Sequence, residues 1–193
     1  MITYLLQIII MNGSMDKTYS IKEKTPDYIL NIDFDIQDKS WLDNINGIQS
    51  IIMLTTKETF NHTKISKKAK EIEFSITLAS NEIIQKLNLQ YRQKDKPTNC
   101  LSFPAQEIDM KKINKIKFHD GFILLGDVIF AYDVIKNESL EQKKSFNDHF
   151  SHLLIHSLLH LHGFNHENDN EAKEMESLEV EILSSLGINS PYN

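Results

Sequence analysis

Six of the chain's eight histidines, at positions 149, 152, 156, 160, 162 and 166, fall within eighteen residues. His156 and His160 stand four apart. On an α-helix, which turns about 100° per residue, they point within about 40° of each other and lie roughly 6 Å apart along the axis. Two imidazoles placed like this can converge on one ion. Gly163 tolerates the left-handed conformation that ends helices, so the chain can fold back there and bring His166 as a third nitrogen from outside the helix. Three histidines with one open position are a catalytic zinc set, whereas a closed structural site more often has four ligands, cysteine among them. His152 continues the four-residue spacing. It would lie about 12 Å from His160 along the axis, however, while zinc–nitrogen bonds are about 2 Å, so it is left out of the set. His149 and His162 point elsewhere on the helical wheel and are read as solvent-facing or as supports of the ligands. Ordinary surface or core histidines are the plain alternative, and six in one short stretch argue against it.

A second group of residues surrounds Arg92, the only arginine among twenty-one basic residues. A guanidinium offers a rigid two-pronged fork that matches phosphate oxygens better than an ammonium does. Lys94 and Lys96 would enlarge a phosphate-attracting patch. Thr98, Asn99 and Ser102 are candidates for hydrogen bonds to a backbone or for turn caps.

The elements that must position these groups are legible from hydrophobic spacing. Leu30 to Ile36 and Glu71 to Leu78 alternate apolar and polar residues, the pattern of half-buried strands. Ser40 is placed to cap a helix through Trp41, Leu42, Ile45 and Ile48, with Gly47 weakening its end, and 55–70 is polar and helical only in part. Ser80 caps a helix through Ile83, Ile84, Leu87 and Leu89, with Ile83 as its inner face. Cys100 to Phe103 reads as a short strand closed by Pro104, and 105–119 as a loop. Phe122 to Phe130 reads as a central buried strand, followed by a helix from about Tyr132. The histidine helix runs from about Ser145 to His162, and a last amphipathic helix from about Asn168 to Gly187. The expectation is an α+β fold, a small mixed sheet packed with helices. It divides into an N-terminal extension of uncertain structure, 1–27, and a single domain, 28–193.

Composition narrows the class. A chain of 193 residues can bury a core without staples, and the single Cys100 excludes an intrachain disulfide framework and fits a reducing compartment. The run from Tyr4 to Ile10 lacks a basic flank and a cleavage site and is far below spanning length, so it is read as a strand or irregular extension rather than a leader. A cytoplasmic protein with no membrane partner is expected. The net charge of -6 conceals a division: 57–118 hold twelve lysines and one arginine against seven carboxylates, while 167–181 hold seven carboxylates and one lysine. The acidic run is read as a solvated face, and the basic half as suited to an anionic substrate.

Leu87-Asn88-Leu89-Gln90-Tyr91-Arg92 through Pro97-Thr98-Asn99-Cys100-Leu101-Ser102-Phe103-Pro104, Leu125-Gly126-Asp127-Val128, and the stretch His156 to His166 occur in the order of one known family. So does a tail with Met175, Leu178, Glu179, Ile182, Leu183, Gly187 and Pro191-Tyr192. The chain resembles the YbeY family of bacterial metal-dependent endoribonucleases over roughly 71–193, more weakly from about 28. The first twenty-odd residues have no counterpart there, which makes Met11 or Met15 a candidate start.

That resemblance implies a zincin-like fold, one zinc ion per chain, and single-strand-specific RNA cleavage in small-subunit ribosomal RNA maturation and ribosome quality control. It puts the metal on His156, His160 and His166, makes Arg92 a catalytic residue beside His156 and His160, and implies RNA and the ribosome as partners, with no DNA. Members usually carry Gly where this chain has Ser157, and Asp where it has Asn165. The residues leave open whether water or the RNA 2′-hydroxyl attacks, and in which oligomeric state. Two other readings share the spacing. A metzincin-like protease needs a glutamate base directly after the first histidine, where Ser157 stands. A non-catalytic ribosome-assembly factor would need no base.

Overall fold

The computed structural model describes residues 17–63, 65–108 and 118–192. Among these, five strands form one mixed sheet: β1 Lys17–Lys24, β2 Ile29–Ile36, β3 Glu71–Ala79, β4 Cys100–Pro104 and β5 Phe122–Ala131. Their spatial order is β1-β2-β3-β5-β4. β2, β3 and β5 run parallel, and the edges β1 and β4 run antiparallel to their neighbours. β2 buries Leu30, Ile32, Phe34 and Ile36, while Asn31, Asp33 and Asp35 alternate onto its other face. β5 is buried on both faces from Leu125 onward, which accounts for its continuous apolar run.

Five α-helices pack on this sheet: α1 Ile45–His62, α2 Asn81–Arg92, α3 Tyr132–Glu141, α4 Phe146–Leu161 and α5 Asp169–Ser185. Ile52 and Phe60 of α1 and Phe150, Leu154 and Leu158 of α4 share one core with Phe74, Ile76, Val128 and Phe130 of the strands. Successive side chains in a strand face opposite ways. Ile129, between Val128 and Phe130, therefore meets the other layer, where Ile84 and Leu87 of α2 pack with Leu101 of β4. Ile155 and Leu159 of α4 join Met175, Ile182 and Leu183 of α5 in a third cluster. Each fully buried leucine or isoleucine contributes about 1.5–3 kcal/mol of transfer free energy, so α4 is held firmly from two sides. The stripe His152, His156 and His160 is left half-buried between them.

Several expectations need correction. Gly47 ends nothing: a 3₁₀ turn over Lys39–Asn44 leads into α1, which runs without a break to His62, so that 55–70 is α-helical in part, as expected. The buried Thr55, Thr56 and Thr59 make the buried face of α1 partly polar and interrupt its apolar period, which hid its continuity past Gly47. Ser80 occupies the position before α2, but its side chain caps no amide. The inner face of α2 belongs to Ile84 and Leu87. Ile83 is half-buried and Leu89 exposed. β1 lies within the expected extension and pairs with β2 along its whole length. The run Tyr4 to Ile10, Met11, Met15 and most of the expected 105–119 loop lie outside the described residues. His119, the last residue of that loop, opens a 3₁₀ turn that runs to Gly121. No helix among the described residues is long and apolar enough to cross a membrane.

Candidate metal centre

α4 begins where Ser145 accepts a hydrogen bond from the Asp148 amide at 3.0 Å, and the four-residue spacing then sets two imidazoles side by side. His156 Nε2 and His160 Nε2 lie 3.1 Å apart. The helix closes in a Schellman turn: the Gly163 amide donates to the His160 carbonyl and the Phe164 amide to the Leu159 carbonyl. Gly163 has φ +86°, and a Cβ there would stand 1.8 Å from the Ile108 carbonyl oxygen, so glycine is required twice over. Phe164 packs into the cluster that holds Leu159, which anchors the turn. The chain then returns His166, whose ring centre lies 5.4 Å from that of His156 and 5.1 Å from that of His160. One ring nitrogen from each of the three lies within 4.8 Å of the other two.

The outward nitrogens decide what the inward ones present. His160 Nδ1 donates to the Phe164 carbonyl at 3.0 Å. His156 Nδ1 lies 2.8 Å from Glu179 Oε1. Burial alone would raise the Glu179 carboxyl, but hydrogen bonds from His152, His156 and Tyr192 outweigh it and hold the pKa at about 2. A carbonyl and an ionised carboxylate only accept, so both Nδ1 atoms carry a proton, and the neutral rings would turn their Nε2 lone pairs toward each other. Two lone pairs facing each other at 3.1 Å repel, and a cation bound by both removes that repulsion. Burial, then the neighbouring His156 and His166, push the His160 pKa down to about 4, which keeps that ring neutral and able to ligate at neutral pH. An all-imidazole donor set, with the second nitrogens of His156 and His160 anchored, suits a divalent ion of zinc's preferences.

The three histidines line a groove of about 1050 Å³ together with Arg92, Thr98 and Ser102. Arg92 is the last residue of α2. Gln93 follows at φ +58° and returns its amide to the Leu89 carbonyl, while Asn88 Nδ2 holds the Lys96 carbonyl at 2.7 Å. The loop carrying Lys94 and Lys96 is thereby tied to the helix that presents the guanidinium. Arg92 is exposed and makes no ion pair with a described residue. Asn99 is committed elsewhere, since its Oδ1 accepts from the Cys100 amide at 2.7 Å and its Nδ2 donates to Glu138.

His152 stands apart from the three, with Nε2 3.2 Å from Glu179 Oε2. Of the two readings of His149 and His162, as solvent-facing or as supports of the ligands, the first is overturned. His149 is 3% exposed, with Nε2 2.8 Å from Glu138. His162 is fully buried, donates from Nδ1 to the Leu158 carbonyl, and meets the Phe60 ring edge-on. His162 follows Leu158 by four residues and so shares the face of α4 that packs on the sheet. Glu179, the carboxylate behind His156, was hidden within an acidic run read as solvated, yet it is fully buried. Its signal is positional: it falls on the stripe Met175, Glu179, Ile182 at helical spacing, where an apolar residue is the rule.

The chain is 48% identical to the endoribonuclease YbeY of Colwellia psychrerythraea over 127 residues, 66% of this chain and 76% of that one. Among solved structures, the solution structure of TM1509 from Thermotoga maritima covers 75% of this chain and 93% of its own at 18% identity and a TM-score of 0.46. The sequence profile of the family described as endoribonuclease YbeY matches residues 35–187, and the chain belongs to that family.

Proposed function

We propose that this chain is a zinc-dependent endoribonuclease that cuts single-stranded RNA, acting in small-subunit ribosomal RNA maturation and ribosome quality control in the cytoplasm. His156, His160 and His166 hold the metal, one ion per chain, on a zincin-like α+β fold whose central helix carries the first two ligands. The observation that carries this reading is the convergence of ring nitrogens from His156, His160 and His166, within 4.8 Å of one another, in the groove that also holds Arg92. Held by these three histidines, a zinc ion would supply Lewis acidity beside the phosphodiester and make hydroxide available near neutral pH. Arg92 takes two non-bridging phosphate oxygens with its fork and offsets the charge that grows on them during displacement. Among the described residues no carboxylate pairs with the Arg92 guanidinium, which favours its use for an anionic substrate. His160 and His156 serve as ligands in the neutral form, and their outward partners Phe164 and Glu179 keep the rings from turning.

Ser157 weighs against proteolysis. It occupies the position where a metzincin-like protease keeps its base, and it is fully buried. Incubation of zinc-loaded protein with single-stranded RNA and with casein, beside the His156→Ala variant, tests the assignment. Cleavage of RNA by the wild type alone is expected. Cleavage of casein would instead indicate a protease, and cleavage of neither a non-catalytic assembly factor.

A further inference from the structure

We propose that Glu179 and the C-terminal tail are positioning elements of the metal centre, with one buried carboxylate linking the Tyr192 hydroxyl to the Nδ1–H of His156. This rests on the metal reading above. Both oxygens of the fully buried Glu179 are in use. Oε1 accepts from His156 Nδ1 at 2.8 Å. Oε2 accepts from the Tyr192 hydroxyl and lies 3.2 Å from His152 Nε2. The Tyr192 ring also meets the His152 ring edge-on, with centres 5.7 Å apart.

The tail is built to deliver that hydroxyl. Gly187, at φ +72°, closes α5 in a second Schellman turn, in which the Ile188 amide reaches the Leu183 carbonyl at 2.9 Å. Ile188 packs into the cluster shared by α4 and α5. The Tyr192 amide donates to Ser190 Oγ, which turns the last residues back toward α4. A carboxylate with donors on both oxygens cannot rotate without breaking one of them. Tyr192 and His152 thus fix the plane of Glu179, and Glu179 fixes the tautomer and orientation of His156. Without an acceptor at Nδ1, the His156 proton can move to Nε2 and turn the lone pair away from the other two histidines.

Two variants test this without RNA. Zinc affinity is measured by competition with a chromophoric chelator, and the His156 tautomer of the metal-free protein by two-bond proton–nitrogen NMR correlations. Glu179→Gln is expected to lower zinc affinity by roughly ten- to a hundredfold and to populate the Nε2–H tautomer of His156. Tyr192→Phe keeps the ring against His152 and loses only the hydroxyl, so it should fall between wild type and Glu179→Gln. Tyr192 is partly exposed, so this variant reports even where Glu179→Gln fails to fold. Wild-type affinity and tautomer in both variants would overturn the proposal, and a wild-type result for Tyr192→Phe alone would overturn the part assigned to the tail. Wild-type protein that binds no zinc would instead overturn the metal reading on which it rests.

Discussion

Gly163→Ala is the substitution for which the structure yields the clearest magnitude, because Gly187→Ala supplies its control. Both glycines close helices at positive φ, +86° and +72°. An alanine in that left-handed region costs about 1–2 kcal/mol in either place. Their surroundings differ. A Cβ at 187 meets nothing within 4 Å, whereas one at 163 stands 1.8 Å from the Ile108 carbonyl oxygen and 2.8 Å from its carbonyl carbon. Those are backbone atoms and cannot be relieved by a rotamer change, so overpacking adds about 1–3 kcal/mol. Gly163→Ala should therefore lose about 2–5 kcal/mol and Gly187→Ala about 1–2 kcal/mol. The assay is urea unfolding of the metal-free proteins. In a thermal scan each kcal/mol lowers Tm by about 2–4 °C at this size. Relief of the clash must shift the turn that returns His166, so zinc affinity should fall much further in Gly163→Ala. Equal destabilisation of the two variants, or unchanged zinc binding by Gly163→Ala, would refute the reasoning.

Arg92→Lys keeps the charge but loses the fork; with about 1.5–3 kcal/mol in a charge-assisted hydrogen bond, RNA cleavage should drop about tenfold or more while stability stays the same. Unchanged cleavage would remove the phosphate clamp from the account. Burial alone would raise the Glu138 carboxyl, but hydrogen bonds from His149 and Asn99 prevail and hold it below its usual range. A depressed folded-state pKa contributes stability that is complete above the unfolded value of about 4.3 and is lost as pH falls through the folded one. Denaturant unfolding of Glu138→Gln should accordingly show a flatter loss of stability below about pH 4.5, and a slope equal to wild type would contradict the pairing. Burial also pushes the Cys100 thiol up to about 11. Iodoacetamide at neutral pH should therefore modify the native protein at least about tenfold more slowly than the urea-unfolded chain, and equal rates would show that the thiol is not shielded.

The convergence of His156, His160 and His166 was legible because a helix converts spacing into direction without help from the rest of the fold. His156 and His160 needed only the four-residue interval, and Gly163 needed only its freedom at positive φ. The strands β2 and β3 were legible from alternation, and β5 from an unbroken apolar run, since each pattern follows from which faces are covered. Environment was not legible in this way. Whether His162 faces water depends on Phe60, a hundred residues earlier in the chain, and whether Glu179 is solvated depends on donors from α4 and from Tyr192. β1 escaped notice because an edge strand can be nearly as polar as a loop, its sequence KTYSIKEK having only Tyr19 and Ile21 to pack. The full length of α1 escaped because threonines occupy part of its buried face.

Zinc K-edge X-ray absorption of the loaded protein tests the central claim most directly, because it counts the ligands by type. Three imidazole nitrogens at about 2.0 Å in the wild type, and two in His166→Ala, are the predicted result. A sulfur at about 2.3 Å from Cys100, or an imidazole count that His166→Ala leaves unchanged, would contradict it.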